Sequence, residues 1–233
     1  MFDMNNIDEE TMSQERRKLT LASAFIDRAK DAGIPKQQIG INRDTFKSLL
    51  YNGYHGDNGT QKISDFIYDK PQSLMKIPFV LIDGGEINLR KRAGFAILFR
   101  LITLDHFGLY RDCSDLIHKF EVSKFDDVLS RSDLTDELKQ YKILFISEVI
   151  RSQFNPHFYG GSYFDDILNH RIDNGKPTII SFTEKLKDNG DKDNIMDSNI
   201  SCGRFLNDII KRKYSQKKNP DDIYLRLRVG EGI

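Results

Sequence analysis

The stretch Phe79-Val80-Leu81-Ile82-Asp83-Gly84-Gly85-Glu86-Ile87-Asn88-Leu89-Arg90-Lys91 runs four apolar residues into an acid, a glycine pair and a cationic helix start. An unbroken apolar run of this length suits a strand covered on both faces, and the glycines that follow mark a turn. A second run of the same kind, Lys142-Ile143-Leu144-Phe145-Ile146-Ser147-Glu148, again ends in polar residues. Working outward, strand-like runs at 79–82, 109–111, 143–146, 178–180 and 223–227 alternate with helical patterns at 93–106, 114–129, 163–172 and 205–213. Five short strands interleaved with helices predict an α/β fold, a parallel five-stranded sheet flanked by helices.

Ahead of this core, residues 8–32 read as a helix. Asp8, Glu9 and Glu10 suit the positive end of its dipole, Leu19, Leu21, Ala22, Phe25 and Ile26 form an apolar stripe, and Gly33 and Pro35 stop it. Residues 51–60 hold three glycines and two asparagines and read as a loop or turn. The expected organisation is therefore a short helical N-terminal extension at 1–50, a connecting loop region at 51–70 and the core at 71–233.

With 39% hydrophobic and 30% charged residues, the 233-residue chain has the composition of a soluble globular protein. Its 35 acids balance 35 bases, which excludes a uniformly basic nucleic-acid coat and leaves only local patches to contact DNA. No apolar run approaches the roughly 20 residues of a membrane helix, and residues 1–10 are acidic where a signal peptide would be basic and then apolar. A cytoplasmic protein with no membrane contact is expected. Cys113 and Cys202 lack CxxC spacing, and the five histidines show no ligand spacing, so no metal is expected. The charged segment 187–194 looks superficially like a calcium loop but lacks the glutamate and flanking helices of one. No serine, cysteine or lysine nucleophile sits in a motif, which leaves a hydrolase reading without support.

Several phrases in order resemble the helicase-loader branch of the AAA+ ATPases, the DnaC/DnaI type, with the IstB transposition ATPases as cousins. They are Ala32-Gly33-Ile34-Pro35-Lys36, the run after Phe79, Tyr141 to Glu148, and Phe164-Asp165-Asp166-Ile167-Leu168-Asn169-His170-Arg171 leading to Gly175-Lys176-Pro177-Thr178-Ile179-Ile180. The resemblance spans about residues 20–228 and implies a P-loop, AAA+-like core. An intact phosphate loop, GxxxxGK[ST], uses glycines so that backbone N–H groups cradle phosphate, a lysine for the outer phosphates and a hydroxyl for magnesium. Matched on Ala96-Ile97, this chain has Gly84 at the first glycine, with Gly85 beside it, Leu89 at the last glycine, Arg90 at the lysine and Lys91 at the hydroxyl. Ser147 stands where the resemblance implies a metal-holding aspartate, while Glu148 keeps the place of the water-orienting acid. The site thus reads as vestigial, without cofactor, metal or ATP turnover.

The same resemblance implies an arginine finger at Arg204 and phosphate contacts for single-stranded DNA at Lys119, Lys124 and Arg131. The cluster Arg90-Lys91-Arg92 reads either as an anion-binding group or as a solvated helix start. Two further stretches carry a nucleic-acid reading beside a plainer one. Residues 211–218 hold five bases and are either a DNA contact or a solvated surface, and the aromatic, glycine-rich 155–164 is either a base-stacking loop or a packing surface. The leading expectation is an adaptor in DNA replication that binds a replicative helicase through its N-terminal helix, with single-stranded DNA and self-association as further expected contacts. A loader mimic or inhibitor that binds host replication proteins without DNA, and an atypical nucleotide-binding ATPase using Arg90, are the alternatives.

Overall fold

The computed structural model describes residues 19–123, 131–149, 161–183 and 224–230. Helix α1 covers residues 19–31, and a short 3-10 turn, Lys36–Gln38, leads to α2 (Arg43–Leu49), α3 (Asn52–Asp69) and α4 (Pro71–Leu74). The core then runs β1 (Phe79–Asp83), α5 (Ile87–Ile102), β2 (Gly108–Asp112), α6 (Cys113–Val122), α7 (Arg131–Gln140), β3 (Ile143–Val149), α8 (Gly161–Asp173), β4 (Thr178–Phe182) and β5 (Tyr224–Arg228). The strands form one sheet in the order β2-β3-β4-β1-β5, and every pairing is parallel.

All residues of β1, β3 and β4 are buried because both faces of the sheet are covered. The two-residue period of a strand divides them cleanly. Phe79, Leu81, Leu144, Ile146, Ile180 and Phe182 join one core with α6, α7 and α8. Val80, Ile82, Ile143, Phe145 and Ile179 join a second core with α5 and the N-terminal helices. Burial of each such side chain contributes about 1.5–3 kcal/mol. Helix α5 lies close over β3 at Gly94, where an added Cβ would fall 2.1 Å from the Phe145 ring.

Two segments differ from the sequence expectation. The glycine-rich stretch and the rest of 51–70 are helical between the caps Tyr51 and Lys70, because α3 buries Thr60, Ser64 and Ile67 and absorbs its one non-helical residue, Gly56 (φ 69°), as a kink. The apolar stripe of α1 is also less buried than its periodicity suggests. Ala29 and Ala32 are buried, and the Ala32 carbonyl accepts from Tyr110 N at 2.7 Å on the edge strand β2. Leu19, Leu21 and Ile26, however, are 71%, 57% and 39% exposed. Only the last turns of α1 reach the core. The expected helix at 205–213 and the segments 155–160 and 211–218 lie outside the described residues.

At the amino ends of β3 and β4, Arg171 is fully buried. Its guanidinium donates to the carbonyls of Leu138, Tyr141, Lys142 and Pro177 and to Thr178 Oγ1, at 2.8–3.3 Å. Three of these carbonyls end α7 or follow it, so one cation caps that helix and joins it to the turn after α8. Burial pushes the guanidinium well below the ordinary arginine value, to about 9, which leaves it charged at neutral pH. The Arg-to-Lys-Pro-Thr phrase is thus a structural clamp. Replacing Arg171 with Met leaves these acceptors buried and unsatisfied, and the expected cost is at least about 3 kcal/mol. Urea unfolding measures it, and a loss below about 1 kcal/mol would mean that water takes over the carbonyls.

Candidate functional site

The carboxyl ends of parallel strands are where open α/β sheets bind ligands. Here those ends are joined to one another by ion pairs. Gly84 (φ 79°) and Gly85 (φ 52°) turn the chain out of β1, and α5 begins at Ile87. From the first turn of α5, the Arg90 side chain folds back into the protein and is 7% exposed. Its Nη2 and Nε donate to the two Glu148 oxygens at 2.6 and 3.1 Å, a bidentate fork. Its Nη1 donates to the carbonyls of Gly85 and Gly84 at 2.6 and 3.1 Å.

Glu148 is held as firmly from the other side. Its backbone N donates to Ser181 Oγ at 2.9 Å, and that hydroxyl donates to Glu148 Oε1 at 3.1 Å. The residue has φ 59°, a left-handed conformation that costs about 1–2 kcal/mol for a side chain of this kind, at the irregularity where the β3–β4 register shifts. The backbone strain aims the carboxylate at Arg90.

Lys91 forms a second link, donating to Asp112 Oδ2 at 2.9 Å at the end of β2. Ser147 Oγ donates to the same oxygen at 3.1 Å and lies 3.0 Å from the Tyr110 hydroxyl, while Asp112 Oδ1 caps α6 through Ser114 N. Burial works against the charge on Lys91, yet the hydrogen bond to Asp112, the nearby Tyr110 hydroxyl and the Asp112 charge raise its pKa above the usual lysine value. Burial likewise opposes the Asp112 carboxylate, and Lys91, Ser114 and Ser147 more than offset it, so its pKa is lowered.

A third link closes the far side of the loop. Asp83, fully buried, accepts from Arg228 Nη2 at 2.8 Å and Arg226 Nη2 at 2.9 Å. Beyond β5, Val229 N donates to Asp83 O, Gly230 N donates to Leu49 O, and Tyr51 N donates to Arg228 O. His55 Nε2 accepts from Arg228 N at 3.0 Å. The loop after β1 is therefore packed against the end of β5, and a Cβ added at Gly84 would fall 2.6 Å from Val229 O.

Six residues singled out in the sequence, Gly84, Gly85, Arg90, Lys91, Ser147 and Glu148, thus converge in space. The reading of Arg90-Lys91-Arg92 as an anion-binding group or a solvated helix start is corrected for Arg90 and Lys91, each of which is paired with an acid of the same chain. Asp112, Ser181 and the Asp83–Arg226–Arg228 group carry roles that spacing alone did not assign, although the Arg-x-Arg alternation in β5 was a cue. Lys119 is exposed on α6, and Arg131 opens α7. Lys124 and Arg204 lie outside the described residues. Among the described residues, no group of three His, Cys, Asp or Glu side chains can hold a metal, and no helix is long and apolar enough to cross a membrane.

A magnesium triphosphate needs N–H donors facing inward and an oxygen ligand for the metal. In this site the loop carbonyls of Gly84 and Gly85 face a guanidinium, Leu89 Cδ1 lies 3.3 Å from a Cβ built on Gly85, and Lys91 stands where the hydroxyl would be. The residues present do not fit that ligand.

The fold is similar to those of solved helicase loaders and a replication initiator. The structure of the DnaC helicase loader matches with TM-score 0.54 and 16% identity, over 83% of this chain and 99% of that one. DnaI matches with TM-score 0.50 and 14% identity, over 82% of this chain and 95% of that one. The replication initiator DnaA, in its complex with AMPPCP and single-stranded DNA, matches with TM-score 0.50 and 11% identity over 77% of this chain, which spans about half (49%) of the DnaA chain. No family model matches the sequence, nor does any curated protein. At these identities the likeness is one of fold.

The buried ion pair makes a sharp thermodynamic prediction. Arg90→Ala leaves Glu148 buried without its partner and is expected to cost about 3–5 kcal/mol, whereas the double change Arg90→Met with Glu148→Met is expected to be near neutral. A double-mutant cycle by urea unfolding checks this, and millimolar free guanidinium is expected to restore part of the Arg90→Ala loss by entering the vacated fork.

The His55 clasp predicts a pH dependence. Burial lowers the His55 pKa below 6.5, partly offset by the Asp83 charge and reinforced by the charges of Arg228 and Arg226. As pH falls through 6.5, the unfolded chain takes up a proton that the folded chain resists. The contribution is therefore present above pH 6.5 and is lost as pH falls through the lower folded value. Unfolding midpoints from pH 7.5 to 5 should fall more steeply for the native chain than for His55→Gln.

Proposed function

We propose that this chain is a helicase-loader-like adaptor of DNA replication that acts by binding and does not turn over ATP. The observation that carries this reading is the Arg90 guanidinium seated between Glu148 and the Gly84–Gly85 carbonyls. A water-orienting acid works only beside a metal-bound phosphate. Here the acid is neutralised internally, and the metal-holding aspartate is Ser147, hydrogen-bonded to Asp112. The atypical ATPase reading loses its support for the same reason, since the arginine that would grip phosphate is already engaged.

The partner we propose is a replicative helicase, contacted by the protruding, apolar half of α1 at Leu19, Leu21 and Ile26. Exposed apolar stripes of this sort mark protein contacts. Single-stranded DNA contact through α6 and α7, with Lys119, Lys124 and Arg131, and assembly with further copies of the chain complete the proposal. The loader-mimic reading needs α1 and no DNA, and the same exposed stripe favours it. Inhibition of helicase loading by the purified chain, without DNA binding, would select the mimic.

Calorimetric titration with ATP and Mg²⁺ tests the central claim. No micromolar binding and no phosphate release are expected. Micromolar binding accompanied by turnover that Glu148→Gln abolishes would overturn it.

A further inference from the structure

Two tyrosines in the short turn that opens α3, Tyr51 and Tyr54, are 47% and 39% exposed. Tyr54 stands over a fixed pair of cations. The guanidinium carbons of Arg228 and Arg226 lie 4.4 and 5.2 Å from its ring centroid, within cation–π range. Both arginines project from the same face of β5, two residues apart, and both are anchored on buried Asp83. The His55 ring meets Tyr54 edge-on at 4.8 Å and is itself held by Arg228 N.

Tyr51 is seated with equal definition. Its backbone N donates to Arg228 O, and its ring lies against Gly53 and Gly230, where an added Cβ would fall 2.8 and 2.6 Å from ring or hydroxyl atoms. Both rings are thus pre-organised and still open to solvent. Their surroundings are polar, since Asn52, Gly53, Gly56 and Asp57 are exposed and none is apolar. A protein helix would seek an apolar patch, but isolated aromatic faces backed by guanidinium groups suit nucleic-acid bases.

We infer that Tyr51 and Tyr54 form a stacking platform for the bases of single-stranded DNA, at the carboxyl end of β5 and separate from the α6–α7 contacts. The inference rests on the proposed role in DNA replication. It commits to bases carried on a strand, because the neighbouring loop turns its Gly84 and Gly85 carbonyls to Arg90 and has no cradle for the phosphates of a free nucleotide. Stacking of this kind tolerates any base, so weak sequence preference is expected.

The test is fluorescence anisotropy at fixed low salt with a labelled 20-nucleotide oligothymidine, and with free ATP as competitor. Tyr54→Ala is expected to raise Kd by about 5- to 150-fold, the range for one lost stacking contact, with Tyr54→Phe retaining affinity and Tyr51→Ala weakening it. Photocrosslinking of the native chain to an oligonucleotide carrying 5-iodouracil, mapped by mass spectrometry, is expected at Tyr51 or Tyr54 and does not depend on any variant folding. Native binding with no crosslink at either ring and unchanged Kd in the alanine variants would overturn the platform and leave the DNA reading standing. No native binding would overturn both, and displacement by ATP at equal base concentration would overturn the commitment to a strand.

Discussion

The buried guanidinium of Arg90 ties together the carboxyl edge of the sheet. Arg90 reaches from α5 to the loop after β1 and to Glu148 on β3, and Ser181 extends the link to β4. Removing two charges from water costs several kcal/mol per ion, and a bidentate pair supported by two further carbonyl acceptors and one hydroxyl donor is the kind of geometry that offsets it. The pair is therefore weak evidence for added stability and strong evidence for a fixed arrangement.

The same logic repeats along the carboxyl edge of the sheet. Lys91 meets Asp112 from β2, and Arg226 and Arg228 meet Asp83 from β1. Each cation comes from one element and each acid from another, so the strand ends are joined by side chains of the chain itself. Here each of these acids is met by a cation of the same chain.

The opposite edge shows how a buried charge can serve structure alone. Arg171 faces carbonyls and one hydroxyl rather than a carboxylate, and it fastens α7 to β4 from the amino ends of the strands. A planar fork with five donors can satisfy diverging carbonyls that a lysine could not. One edge of the sheet is thus closed by ion pairs and the other by cations among backbone oxygens, Arg171 with Lys142 and Lys176 beside it.

The strand runs at 79–82, 143–146 and 178–180 were legible in the sequence because burial on both faces leaves an unbroken apolar signature, and that signature carried the parallel sheet with it. That Leu89, Arg90, Lys91 and Ser147 stand at positions which the resemblance matches to a phosphate site was equally visible, since residue identity alone decides whether a backbone can approach phosphate or an oxygen can meet a metal. Only the tertiary structure decided what the substituted side chains do. Arg90 and Glu148 are 58 positions apart, and Asp83 and Arg228 are 145 apart, so their pairing is invisible to any local pattern. Packing also overrode composition in α3, where contacts made by Thr60, Ser64 and Ile67 hold a helix through a glycine-rich stretch, and in α1, whose apolar periodicity could not reveal that Leu19, Leu21 and Ile26 would be exposed. Periodicity records which face is apolar, whereas what lies against that face is a property of the whole folded chain.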